Sequence, residues 1–377
     1  MSIRTYKYKL YKTKKEKHIQ DIVNISGIIY NHCIALHKRY YKLYGKYLNK
    51  FQLQKHITKL KKRDRYSFWK KVPSQSIQDI TVRIDNTYQR FFDYIKKKKE
   101  GLKPARVSPP NFKAVKKYKS YTLKGKVGYK IEDNIIYLNG YEYKFWLSRP
   151  IDGTIKTITI KRDNIGDFYI CITLEKEEPK FNVTSGKSVG IDFGLKTFLT
   201  LSDETDIKAP LYHLKYLNKI KRLNRNLSKK KDGSNGRKRA KLKLAKLHIK
   251  VANKRRDHFH KLSNDLAQKY DHIFIEDLNI KAMQKIWGRK ISDLAFSEFI
   301  NILGYKTNIT KIDRFFPSSK TCSTCGFVLK DLNLKTREWT CPSCNARNQR
   351  DVNAAINIHR VGASTLAGEV VRAVHSA

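Results

Sequence analysis

The amino-acid sequence predicts an α+β protein of several domains: a small β-domain interrupted by a helical bundle, then an α/β domain carrying a cysteine-rich insert. Three observations lead there. Apolar residues keep a helical period over Lys14–Lys99, then switch to a period of two beyond Gly101–Asn111, where Pro104, Pro109 and Pro110 break the pattern. A strand-like segment, Ile3–Tyr11, stands before the helices, so the helical region reads as an insertion that splits the β-domain. Cys322, Cys325, Cys341 and Cys344 form two Cys-x-x-Cys pairs late in the chain.

Taken in order, Ile3–Tyr11 alternates basic residues with Tyr6, Tyr8 and Leu10, as a half-buried strand does. Ile19, Ile22, Val23, Ile25, Ile28, Ile29 and Cys33 recur on one helical face, followed by Phe51, Leu53, Ile57 and Leu60 on a second. Ile77, Ile80, Ile84, Tyr88, Phe91 and Phe92 mark a third helix, opened by Pro73 and Ser74. Strands follow at Ile135–Leu138, Tyr141–Leu147, Thr154–Ile160 and Phe168–Leu174, with Asn139-Gly140 and Asp152-Gly153 as turns, giving a small antiparallel barrel or sandwich. After a polar linker at 182–187, Ser188–Leu201 is a hairpin with Asp192 near its first strand. Tyr212–Tyr270 is a densely basic helical hairpin broken at Asp232–Asn235. Asp271–Asn279 reads as a strand ending in acids, Ser292–Asn308 as a helix, Lys311–Phe316 as a strand and Asp351–Val361 as a helix.

Charge narrows the partners. Of 377 residues, 80 are Lys or Arg and 33 are Asp or Glu, a net charge of +47 spread along the whole length. A polyphosphate backbone neutralises such a load, whereas membrane-surface proteins concentrate it in one short run. Nucleic acid is the expected partner and a membrane is not. At 40% hydrophobic residues the chain buries real cores and is no disordered basic tail. Met1–Leu10 carries Arg4, Lys7 and Lys9 without the apolar core of a secretory leader, and no later run reaches about 18 apolar residues. The expected location is cytoplasmic, in association with a prokaryotic nucleoid. Cys33 and Cys171 stand singly among apolar residues and read as core.

Two constellations carry chemistry. Two-metal phosphodiester hydrolysis needs carboxylates converging on cations roughly 3.5 to 4 Å apart. Asp192 lies in Gly190-Ile-Asp-Phe-Gly194, where flanking glycines allow close backbone approach; Glu276 ends the apolar run Ile273–Ile275; Asp351 opens a helix rich in small residues that can lie flat on a sheet. Singly, each acid also fits a turn, a solvated strand end or a helix cap. The second constellation, Cys322/Cys325 and Cys341/Cys344 with fifteen residues between the pairs, suits one tetrahedral Zn²⁺ held by four thiolates, against four free thiols or two disulfides, the latter disfavoured by a reducing cytosol. A closed four-thiolate site leaves no open position, so zinc is structural, with Lys330, Lys335, Arg337 and Trp339 expected to be free for nucleic acid. His258 and His260, two apart on a helix, point to different faces and do not share a metal. Tyr40, Tyr41, Tyr44 and Tyr47 fit packing between helices better than base stacking.

Five segments together resemble a known family: Gly190-Ile-Asp-Phe-Gly194, Arg256-Asp-His-Phe-His-Lys-Leu-Ser263, Ile275-Glu-Asp-Leu-Asn-Ile280, Phe316-Pro-Ser-Ser-Lys-Thr-Cys-Ser-Thr-Cys-Gly326 and Arg350-Asp-Val-Asn-Ala-Ala-Ile-Asn-Ile358. They resemble TnpB, the RNA-guided endonucleases of insertion-sequence transposons and relatives of type V CRISPR effectors. The resemblance implies a wedge-type β-barrel domain at 1–12 and 111–181, a helical recognition domain at 13–110, an RNase H-like RuvC nuclease domain at 182–318 and 346–362, a zinc ribbon at 319–345 and a flexible tail at 363–377. It implies Asp192, Glu276 and Asp351 as catalytic acids binding Mg²⁺, with Mn²⁺ able to replace it, and the four cysteines as zinc ligands. It also implies a guide RNA derived from the transposon end, one protein chain per RNA, and double-stranded target DNA cut beside a short duplex motif. Gln75 and Gln78 are candidate base-edge readers, against helix capping as the alternative. Arg255 and Arg256 are candidate contacts to nucleic acid, against a solvated helix face. One departure stands out: Asn348 and Gln349 occupy positions where the family often has His and an acid. Three rivals remain: an RNase H-class transposase, which usually places Glu last; a nuclease-silent RNA-guided repressor, which would lack an acid; and a zinc-ribbon RNA-binding protein without chemistry.

Overall fold

The computed structural model describes residues 2–125, 127–177, 185–333 and 335–375 and divides into two compact units, residues 1–178 and 179–377. No helix of the described residues is long and apolar enough to cross a membrane.

The first unit begins with β1 (Ser2–Lys9), then α1 (Glu16–Tyr44), α2 (Lys50–Leu60), a 3-10 segment (Asp64–Lys71) and α3 (Ser74–Lys99). The strands β2 (Ser120–Lys124), β3 (Tyr129–Glu132), β4 (Ile135–Leu138), β5 (Tyr141–Lys144), β6 (Thr154–Arg162) and β7 (Phe168–Lys176) complete it. β1 skips the helices and lies antiparallel to β7, from Ser2↔Lys176 to Lys9↔Tyr169, in a sheet of order β1-β7-β6-β2. On α1 the predicted face is buried at Ile19, Ile22, Val23, Ile29 and Cys33, while Ile28 turns outward. The helix stops at Gly45, whose φ of 63° only glycine adopts freely, and Asn49 opens α2 through a reciprocal cap with Gln52. Asn139 and Gly140, at φ 49° and 81°, make the tight β4–β5 turn. β3, β4 and β5 form a separate meander, tied to the first sheet by the Leu10–Phe145 bridge. Among the described residues no ladder pairs β2 with β3, so the expected barrel is two sheets over one core rather than a closed ring. β2 had no clear sequence signal because Tyr121, Thr122 and Leu123 are all buried, which erases the alternation of a half-exposed strand.

In the second unit the elements are β8 (Ser188–Phe193), β9 (Thr197–Leu201), β10 (Asp206–Lys208), α4 (Tyr212–Lys215), α5 (Leu217–Ser228), α6 (Asn235–Lys269) and β11 (His272–Glu276). They continue with α7 (Ile280–Leu294), α8 (Phe296–Leu303), β12 (Asn308–Ile312), β13 (Glu338–Thr340), β14 (Arg347–Gln349) and α9 (Arg350–His375). The sheet order is β10-β9-β8-β11-β12, with β8, β11 and β12 parallel and β9 antiparallel to both its neighbours. An aromatic core of Phe193, Phe198, Phe259, Phe296 and Phe299 fills the space between the sheet, α6 and α8. α9 lies on the sheet at glycine contacts. A Cβ on Gly190 would stand 2.5 Å from the His359 nitrogen and nearer still to the Ala355 oxygen, and one on Gly362 would run into the Phe274 ring.

Several expectations are corrected here. The helix expected over Ser292–Asn308 is divided at Ala295, where φ of 49° separates α7 from α8, and Thr307 then turns the chain by donating to the Tyr270 and Asp271 carbonyls. The strand expected at Lys311–Phe316 begins at Asn308 and ends at Ile312, because Asp313 Oδ1 accepts the Phe315 N–H at 2.9 Å and folds a turn. The tail expected from 363 is a continuation of α9, whose Val361, Ala363 and Leu366 pack beside Phe274 and Ile312. The linker expected at 182–187 lies outside the described residues as far as 184; beyond that, Ser185 and Gly186 donate backbone N–H groups to Asp271.

Candidate active site

The three parallel strands end on one edge of the sheet, and the acids gather there. Asp192 is the penultimate residue of β8, Glu276 the last of β11, and Asp351 lies in the first turn of α9, which crosses both strands. Sites in such sheets form at the carboxyl ends of parallel strands. Loss of water around Asp192, then the charges of Asp351 and Glu276, push its carboxyl up to about 7 against the opposing pull of Arg350. Burial, with Asp277 beside it, raises Glu276 as well. Asp351 is held differently: Arg337 Nη1 donates to both of its oxygens at 2.9 Å. Asp277 itself is paired with Arg314, and with Lys311 at 3.3 Å, which hold its carboxyl below the ordinary range. The charges of Asp351 and Glu276 both bear on Asp192, and carboxylate oxygens of this hard character suit a divalent cation such as Mg²⁺.

The cysteine quartet fits zinc. All four Sγ atoms lie within 4.8 Å of one another, with Cys322–Cys344 at 3.7 Å and Cys325–Cys341 at 3.6 Å. A tetrahedron of Zn–S bonds of about 2.3 Å requires similar spacing. Although desolvation resists ionisation of Cys322, the backbone N–H groups of Cys325 and Thr324 and the Asn348 amide lower its thiol below the ordinary range. The ribbon's hairpin, with Trp339 opposite Asn348, runs on through β14 to Gln349, past the boundary expected at 345.

The departure at 348 and 349 acquires a physical account. Asn348 is buried and directs its amide to Cys322 Sγ at 3.6 Å and the Ala346 carbonyl at 3.2 Å, so it supports the thiolate knuckle. Gln349 Oε1 accepts the Val352 N–H at 2.8 Å, a cap on the helix that carries Asp351. The sequence reading missed Asn353 and Asn357, both buried, whose amides hold the Ser318 and Thr321 carbonyls and so fasten the ribbon to α9. Their spacing of four residues beside Ala354 and Ala355, on the core-facing side of the helix, was the available signal.

Other expectations fare unevenly. Arg337 is engaged by Asp351, and Trp339 is buried in the ribbon core, so neither is free as expected; Lys330 and Lys335 are exposed. Arg255 and Arg256 both pair with Glu298, at 3.1 and 3.2 Å, and so help hold α6 to α8, with Arg255 largely covered and Arg256 still exposed. Gln75 spends its carbonyl on the Lys124 N–H at 3.0 Å, while Gln78 stays exposed on α3. His258 lies beside Tyr212 and His260 beside Tyr305, on different sides of α6.

In fold the chain is a mixed α/β protein of the kind found among miniature CRISPR effectors. It matches the protein chain of a solved Cas12f1–sgRNA–target DNA complex with a TM-score of 0.54 at 15% identity, over 92% of this chain and 83% of that one. A family profile described as "Probable transposase" (OrfB of IS605) matches residues 169–287, and one for the Cas12f1-like TNB domain matches 296–358. A "Putative RNA-guided DNA endonuclease" of Streptomyces pristinaespiralis is 30% identical across 98% of this chain and 92% of its own length. "TnpB-like protein L79" of Acanthamoeba polyphaga mimivirus is 32% identical across 57% of this chain and 45% of its own. The chain belongs to the TnpB-like family of IS605-type transposon proteins.

Proposed function

We propose that this chain is an RNA-guided DNA endonuclease of a transposable element, hydrolysing phosphodiester bonds of target DNA beside a short duplex motif. The observation that carries the reading is the arrival of Asp192, Glu276 and Asp351 at one sheet edge, from two parallel strands and the helix laid across them. The order β10-β9-β8-β11-β12 with one antiparallel strand beside a parallel trio supports an RNase H-like, RuvC-type domain. A bound Mg²⁺ pair would supply an activated water and stabilise the leaving oxygen. The chain's own part is to present the three carboxylates on rigid elements, and to surround them with Arg337 and Arg350, whose charge suits a phosphodiester. The four cysteines would hold structural zinc and keep the ribbon docked on α9 through Asn353 and Asn357.

Specificity is assigned to an RNA guide made from the transposon end. Exposed Lys219, Lys221, Arg222 and Arg225 on α5, with Lys243, Lys246 and Lys250 on α6, offer a phosphate-binding surface without a base-reading pattern. The first unit is assigned as a wedge-type β-domain with an inserted helical recognition domain, Gln78 remaining as a candidate reader of the duplex motif. Substitution tests the site: Asp192→Ala, Glu276→Ala and Asp351→Ala should each reduce target cleavage by at least about a thousandfold, with guide binding by gel shift unchanged. Mg²⁺-dependent cutting at the wild-type rate by any of the three would remove that residue from the site.

A further inference from the structure

The turn after β12, a strand that ends level with Glu276 in the sheet, presents an aromatic ring to solvent. Phe315 is 85% exposed, the most exposed of the large hydrophobic side chains described. One exposed phenylalanine means little by itself; its mounting gives it meaning. Asp313 Oδ1 accepts the Phe315 N–H at 2.9 Å, and the Asp313 carbonyl accepts the Phe316 N–H at 3.2 Å, so the turn has a defined shape. Phe316 points the other way and packs with Phe274, Ile312 and Ile358, which anchors the turn in the sheet's core. The consecutive aromatics therefore divide their work, one as anchor and one as projecting ring.

The same turn is tied to the elements that carry two of the acids. On one side Arg314 pairs with Asp277, the neighbour of Glu276, and Ile312 stands opposite Glu276 in the parallel ladder. On the other side Ser318 is held by Asn353 and Asn357 of α9, within the first turns after Asp351. Basic residues flank it in the chain: Lys311 and Arg314 on the strand end and turn, both paired with Asp277, and Lys320 beyond, donating to the Lys330 carbonyl. A flat apolar ring on a fixed turn, flanked in the chain by basic residues and following a strand end level with Glu276, matches the two faces of a nucleic-acid strand, base and phosphate.

Resting on the endonuclease reading above, we propose that Phe315 is a substrate-positioning residue that stacks on a base of the single DNA strand being cut and so sets which phosphodiester enters the carboxylate site. A base–aromatic stack contributes roughly ten- to a hundredfold in affinity. Spent on the register of the strand, it appears in kcat more than in target binding. The stack needs a π-face, so Tyr or Trp should serve and Leu should not.

The test uses the guide-loaded protein and target duplexes with 2-aminopurine at successive positions of the strand to be cut, in an Asp192→Ala background that holds the strand uncut. Quenching at one register, lost in Phe315→Ala and Phe315→Leu and retained in Phe315→Trp, is expected. With Asp192 restored, Ala and Leu should lower the cleavage rate about tenfold or more and blur the cut position, with target Kd within about twofold of wild type and rescue by Trp. Equal rates for Leu and Phe, or unchanged quenching in the Ala variant, would overturn the proposal. Loss of guide or target binding in parallel with cleavage would point to an RNA or protein contact and overturn it as well. Titration of a short 2-aminopurine single strand separates this from the endonuclease reading. If the wild-type protein cuts no guide-matched DNA, Phe315-dependent quenching of that strand still decides the stack.

Discussion

The thiolate and carboxylate clusters of the second unit differ in how completely the chain alone assembles them. The four Sγ atoms are already within 4.8 Å of one another, and backbone N–H groups favour the ionised thiol of Cys322. Across α9, burial and the charges of Asp351 and Glu276 push Asp192 up to about 7, and Asp351 leans on Arg337. The difference follows from coordination. A structural zinc site is closed and is shaped by short knuckles of its own hairpin, whereas a hydrolytic site must stay open and draws its ligands from elements far apart in sequence.

The largest effect should come from the closed cluster. Cys322→Ser should reduce zinc from about one ion per chain to near none and unfold the ribbon, because thiolate coordination is coupled to local folding. Metal analysis and proteolysis at residues 319–349 check it; a zinc-free protein with an intact ribbon would break the contrast. Next is the packing beneath the open cluster. Gly190→Ala pushes a methyl into the α9 backbone at Ala355 and His359, costing about 3 kcal/mol and displacing Asp351. A denaturant midpoint equal to wild type would show that α9 does not sit on β8.

The smallest effect concerns protonation. Burial and the neighbouring acids raise the folded Asp192 carboxyl to about 7, so the metal-free fold favours its neutral form. That stabilising share is complete below the ordinary carboxylate range and is lost as pH rises through about 7. Asp192→Asn is neutral throughout. Without metal, its melting temperature relative to wild type should rise by about 3 °C between pH 5 and pH 8. A difference that stays constant over that range would mean the carboxylates do not strain one another.

What the sequence showed depended on how local each signal was. The cysteine spacing, the tight turn at Asn139-Gly140 and the amphipathic face of α1 are written in neighbouring residues, and each could be read directly. The positions of the three acids on their elements were legible too: Asp192 lies between glycines near a strand end, Glu276 closes an apolar run, and Asp351 opens a helix of small residues. Contacts across the chain were not. Arg337 reaches Asp351 only because the β13–β14 hairpin leads directly into α9, and Glu298 takes Arg255 and Arg256 only because α8 packs on α6. The strand expected at Lys311–Phe316 overruns β12 because Asp313 looks like any polar strand residue until its side chain bonds the Phe315 N–H. β2, buried along its middle, offers no alternation at all.

The central claim is that the open cluster cuts where an RNA directs it. Two plasmids sharing one flanking duplex motif but differing in target, each incubated with protein loaded with one or the other guide, test this most directly. The account predicts that each plasmid is cut only with its matching guide and Mg²⁺. Mismatches near the motif should abolish target binding, and distal mismatches should impair cleavage more than binding. Cutting of both plasmids by either complex, or by the protein without RNA, would contradict it.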